Sequence, residues 1–160
     1  MLRNNTALHY DAMFPMIFFS LGMFAHVMII YRLRQFEETR MLFYRGFPIP
    51  VVTRLLQYVV FYLVIFLPEL LTLARLVPVH LHVGDAFDFA SAGFSTLLLL
   101  HCLTYTVYFT MKDLTKISLL LFAFVFLFSA KPFFAGIYLL FFPVALLAFF
   151  IGYPRYQHGE

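Results

Sequence analysis

The chain has 160 residues, 63% of them hydrophobic and 12% charged, and its 11 Lys and Arg against 8 Asp and Glu give a net charge of +3. With a mean hydropathy of +0.90, it carries more apolar surface than a soluble core of this length buries, which excludes an ordinary water-soluble domain and makes a bilayer the expected solvent. The basic excess lies beside apolar runs, so lipid headgroups rather than nucleic acid are the expected anions.

A helix rises about 1.5 Å per residue and a bilayer core is about 30 Å thick, so about 20 apolar residues cross it. Charged residues then mark the ends of each span. Ahead of the first run, Met1 to Tyr10 contains Arg3 and no acid, which resembles a short mitochondrial targeting segment, and Asn4-Asn5-Thr6 forms a glycosylation sequon. The first span is expected at about 12–31. The loop 32–54 follows, holding Arg32, Arg34, Arg40 and Arg45, with Arg54 at its far edge. Phe36, Met41, Leu42, Phe43 and Tyr44 lie among these arginines, a mixture that fits an interfacial segment contacting anionic phospholipid such as cardiolipin.

A second span is expected at about 55–76, containing Pro68 and Glu69. The next loop, Val77 to Asp88, has no Lys or Arg and places His80, His82 and Asp85 close together. If extended, His80 and His82 point to one side, a weak candidate for a transition-metal site. A third span at about 89–111 carries His101 and the single cysteine, Cys102, so the chain has no intrachain disulfide and no cysteine-based metal site.

From Ile117 to Tyr153 the only charge is Lys131, and one helix of that length would be about 55 Å long. Ser129-Ala130-Lys131-Pro132 is the expected break, because proline lacks a helical donor and disfavours helical geometry in the residue before it. This gives a fourth span at about 114–130 and a fifth at about 132–153. The fold class is therefore an all-α bundle of five transmembrane helices forming one domain; the alternative is four, with a long kinked last helix and Lys131 buried. Apolar character on every face argues against a barrel. The arginine-rich first loop, with Lys112, Lys116 and Arg155 also expected inside, places the N-terminus out and the C-terminus in.

Ionisable groups at membrane depth are functional candidates. Glu69 and Lys131 could serve a small ion or proton transporter. His26 and His101, on separate spans, could ligate a b-type haem, although their expected depths differ by about 6 Å. His101 followed by Asp113 resembles the membrane anchors of succinate dehydrogenase, which implies a haem-ligand role for His101 and a quinone-region role for Asp113. The spacing is one residue longer than in that family, and the arginine motif near its first helix is not evident. Ser129-Ala130-Lys131 resembles the retinal-lysine segment of microbial rhodopsins, but that family has seven helices and an acid where Leu127 stands. There is no zinc-protease helix, nucleophile elbow or phosphate loop. Phenylalanine is abundant at 23 residues and tryptophan absent, so packing rather than chemistry is the expected role. The reading is a non-catalytic accessory subunit of a larger energy-transducing complex, of respiratory-chain or ATP synthase type, in the mitochondrial inner membrane. Its expected contacts are partner helices and phospholipid, with haem b or quinone binding and small-ion transport as the alternatives.

Overall fold

The computed structural model describes residues 13–41, 43, 47, 49–77, 81–107, 109–127 and 133–158. Among them are six helices and no strand: α1 (Met13–Thr39), α2 (Val51–Ile65), α3 (Leu67–Leu76), α4 (Val83–Thr106), α5 (Met111–Leu127) and α6 (Phe133–His158). Two of these, α4 and α6, are long and apolar enough to cross a membrane, and α2 with α3 makes a third if the bent pair is one span. The expected segment at 114–130 falls on α5, whose 17 residues fall short of the roughly 20 that a straight crossing needs.

The bend between α2 and α3 is 50°, and Pro68 is its cause. With no N–H and a ring that crowds the preceding turn, Pro68 breaks the ladder at the Val64 carbonyl. The Phe66 N–H still bonds to Tyr62 at 2.9 Å, while the Leu70 N–H starts the next ladder on Phe66 at 3.1 Å. By contrast, α6 runs unbroken through Pro143 and Pro154.

The centre of the molecule is α4. Every residue from Ser95 to Cys102 is buried, which is why this helix is apolar all round rather than striped. Its most extensive contact is with α6. At Gly152 a Cβ would lie 2.8 Å from Thr106 Cγ2 and 2.9 Å from the Tyr105 carbonyl carbon, so the two backbones approach as closely as only glycine permits. Gly93 plays the same part toward α1, where a Cβ would lie 2.7 Å from the Phe19 ring. Phe19 in turn sits edge-on to Phe66, with ring centroids 5.8 Å apart.

The boundaries of α4 differ from the expected span at 89–111. The helix begins at Val83, so Asp85 lies in its first turn, where a carboxylate complements the positive helix end. It ends at Thr106, after which Val107 is extended (φ −138°, ψ 138°). Thr104, Thr106 and Val107 are β-branched and lose side-chain freedom in a helix, and Thr110 then caps the next one. His101 consequently sits within two turns of the α4 C-terminus rather than at the centre of the span.

Candidate functional site

At the end of the bundle where α1 stops, α2 begins and α4 stops, the sequence sets polar residues one helical turn apart. Tyr58 and Tyr62 share a face of α2, His101 and Tyr105 share a face of α4, and Arg34, Glu37 and Glu38 occupy the last turns of α1. These faces converge. Glu37, only 8% exposed, accepts a hydrogen bond from the Tyr58 hydroxyl at 2.6 Å and one from the Tyr105 hydroxyl at 2.9 Å.

The chain of hydrogen bonds continues through His101, which is fully buried. Tyr105 already donates its proton to Glu37, so its 3.3 Å contact with His101 Nε2 is one in which Nε2–H donates to the phenol oxygen. Nδ1 is then the acceptor, and the Tyr62 hydroxyl donates to it at 2.9 Å. This pattern assigns His101 as the neutral Nε2–H tautomer and uses both ring nitrogens. The Tyr58 ring packs on the imidazole at 4.5 Å between centroids.

Two arginines surround the carboxylate. The Arg34 guanidinium packs on two aromatic rings, 4.4 Å from the Tyr105 centroid and 3.6 Å from that of Tyr156 on α6. Its Nε is 3.1 Å from Glu38 and its Nη1 is 3.9 Å from Glu37. Arg54, 1% exposed, adds a second positive charge acting on Glu37. A buried carboxylate is tolerated only when paired and hydrogen-bonded, and Glu37 has both kinds of partner. The cluster therefore ties α1, α2, α4 and α6 together. A cavity of about 160 Å³ adjoins it, lined by Arg34, Glu38, Tyr31 and Thr104.

A second polar contact joins α1 to α3. His26 Nε2 lies 2.8 Å from Glu69 Oε1, and Gly22, one turn earlier on α1, adjoins that carboxylate, whose oxygen would be in ordinary contact, at 3.4 Å, with a Cβ there. The other oxygen, Oε2, is buried and has no hydrogen-bond partner among the described residues.

The residues singled out from sequence are thus redistributed. His26 and His101 engage different partners, Glu69 and the tyrosine pair, and do not face a common site. Asp113 accepts a hydrogen bond from the Thr110 hydroxyl at 2.6 Å and returns one from its N–H at 3.3 Å, the arrangement of a helix cap on α5. That hydroxyl holds the Asp113 carboxyl below the usual carboxylate range. Of the arginines, Arg34 and Arg54 are drawn into the interior, whereas Arg32 and Arg40 are exposed. His82 stands exposed at the α4 N-terminus. No group of three or more His, Cys, Asp or Glu is placed to hold a metal among the described residues. Arg45, His80 and Lys131 lie outside the described residues.

Glu37 was not singled out from sequence, because it reads as one loop charge among several. The signal was the repeated four-residue spacing of Tyr58 with Tyr62 and of His101 with Tyr105, which puts matching polar faces on two apolar helices. No protein-family model, curated protein or solved structure matches this chain.

Proposed function

We propose that this chain is a non-catalytic, multi-pass accessory subunit that packs its outer faces on partner helices and lipid within a larger membrane complex. One observation carries the reading: the described ionisable groups of the core are turned inward, while aliphatic stripes face out. On α2 and α3, Leu56, Val60, Val64, Leu67 and Leu71 are exposed; on α6, Leu140, Val144, Leu147 and Ile151 are exposed at successive turns. Such stripes suit a neighbouring helix or acyl chains and offer no reacting group. In the fuller form of the proposal, five spans run with the N-terminus out and the C-terminus in. The complex is an energy-transducing one of the mitochondrial inner membrane, and the phospholipid held at the first loop includes cardiolipin. Size, the mostly apolar chain and the arginine-rich loop support that form.

Mild detergent extraction followed by identification of co-purifying chains tests it. The expected result is co-migration with membrane subunits of one larger complex, whose abundance falls when this chain is deleted. A stable isolated monomer with a turnover of its own overturns the proposal.

A proton-conducting role has one observation in its favour, the unbroken Tyr62–His101–Tyr105–Glu37 chain of hydrogen bonds. Proton flux into liposomes that disappears in Glu37→Gln and His101→Phe would put that role in place of the scaffold. A haem role would show as a reduced-minus-oxidised spectrum lost in His101→Phe.

A further inference from the structure

Of the five arginines expected at lipid headgroups, the four that lie among the described residues are not equivalent. Arg34 is committed to Glu38, Glu37 and two tyrosine rings, and Arg54 is buried. Arg32, on α1, and Arg40, just past its end, are exposed, and neither has an acidic partner among the described residues; Arg32 hydrogen-bonds the neutral Gln35, at 3.5 Å. Both border an open groove of about 740 Å³ between α1 and α2. The groove is amphipathic along its length. Arg32, Gln35 and Arg40 supply donors, while Ile29, Leu33 and Phe61 supply an apolar wall.

We infer that this groove is the seat of one anionic diacyl phospholipid, its phosphate held by Arg32 and Arg40 and one acyl chain laid along Ile29, Leu33 and Phe61. Charge complementarity selects this occupant. A partner helix seated there would bring its own apolar stripe against two unneutralised guanidinium groups, at a desolvation cost. A phosphodiester on a hydrocarbon tail satisfies both halves of the groove, and the long arginine stems let the charged heads reach the headgroup plane. The volume falls within the range of small-molecule sites, enough for a headgroup and part of a chain. The inference rests on the proposal that the chain is lipid-embedded, and deepens it by naming the lipid class and the two arginines that choose it.

The absence of tryptophan from the whole chain makes a clean reporter available. Phe61→Trp places a single indole on the groove wall, and Leu147→Trp, made separately, places one on the exposed face of α6. Each full-length variant is reconstituted in phosphatidylcholine vesicles, and quenching by chain-brominated phosphatidylglycerol is compared with quenching by chain-brominated phosphatidylcholine. The expected result is a preference of about thirtyfold for the anionic lipid at position 61, the effect of two arginines on one anionic headgroup. No preference is expected at position 147. Adding Arg32→Gln and Arg40→Gln to the position-61 reporter should abolish the preference. Equal quenching by the two lipids at position 61, or a preference that survives loss of both arginines, overturns the inference. If Phe61→Trp does not fold, native mass spectrometry of the unaltered chain against Arg32→Gln/Arg40→Gln reads the same comparison: retained phosphatidylglycerol in the first and not the second supports the site, and equal retention overturns it. A chain that purifies without partners yet keeps the preference removes the accessory-subunit proposal while leaving the lipid site intact.

Discussion

Two carboxylates, the buried Glu37 and the half-buried Glu69, hold the bundle in different ways. Glu37 receives two phenol hydrogen bonds, pairs with Arg34, feels the positive charge of Arg54 and so joins α1, α2 and α4. Glu69 has one partner among the described residues, His26, across a single pair of helices, and its second oxygen is buried with no hydrogen-bond partner among them. The first lies beyond the apolar run of α1, where polar side chains can be gathered from several helix ends. The second lies one residue past Pro68, at the 50° bend, where a single imidazole comes within reach. A carboxylate with four partners fixes a geometry; one with a single partner holds a contact that can be lost with less damage.

That contrast can be broken most severely at Glu37. Glu37→Ala removes a buried carboxylate that takes hydrogen bonds from two phenols and on which Arg34 and Arg54 both act, and should destabilise the bundle by about 3–5 kcal/mol, read as thermal or SDS-driven unfolding of the detergent-solubilised protein. Gly152→Ala comes next. Its methyl would meet the α4 backbone at 2.9 Å, and overpacking of that kind costs about 1–3 kcal/mol. Tyr62→Phe removes one interhelical hydrogen bond to His101 and should lower stability by about 0.6–1.7 kcal/mol. Glu69→Gln keeps a group able to hydrogen-bond His26, so a change under about 1 kcal/mol is expected. Should Glu69→Gln prove as damaging as Glu37→Ala, the ranking of the two carboxylates is reversed.

The smallest effect concerns pH. The Thr110 hydroxyl holds Asp113 below the usual carboxylate range, so its ionised form favours the folded state. This contribution is present at neutral pH and is lost as pH falls through the depressed folded value. Hydrogen exchange in the first turn of α5 should rise more steeply on acidification in the native chain than in Thr110→Val, after correction for the intrinsic pH dependence of exchange. Equal pH profiles would remove the cap.

The helical, membrane-compatible character of the chain was legible in its long apolar runs; the 50° break at Pro68 was not, because proline alone does not decide it, and Pro143 and Pro154 stand inside an unbroken helix. The limits of α4 were not, because charge marks where a lipid-immersed run ends and not where a helix does; Asp85 and Asp88 lie inside the helix, while Phe109 lies past its end. Arg54 read as a headgroup ligand because it follows a loop, yet its side chain is buried beside Glu37. The pairing of His26 with Glu69 depends on how α1 meets a bent α3, a tertiary relation with no local sequence signature. Glu37 itself was visible only through the spacing of the tyrosines and histidine that surround it.

The most direct test of the lock at the arginine-rich end is a double-mutant cycle between Glu37→Gln and Tyr105→Phe, with unfolding free energies measured in one detergent. Residues joined in a single buried network should show a coupling of about 1–3 kcal/mol. Additive losses, with coupling near zero, would mean that the carboxylate and the phenol contribute separately and that no shared network holds the helices together.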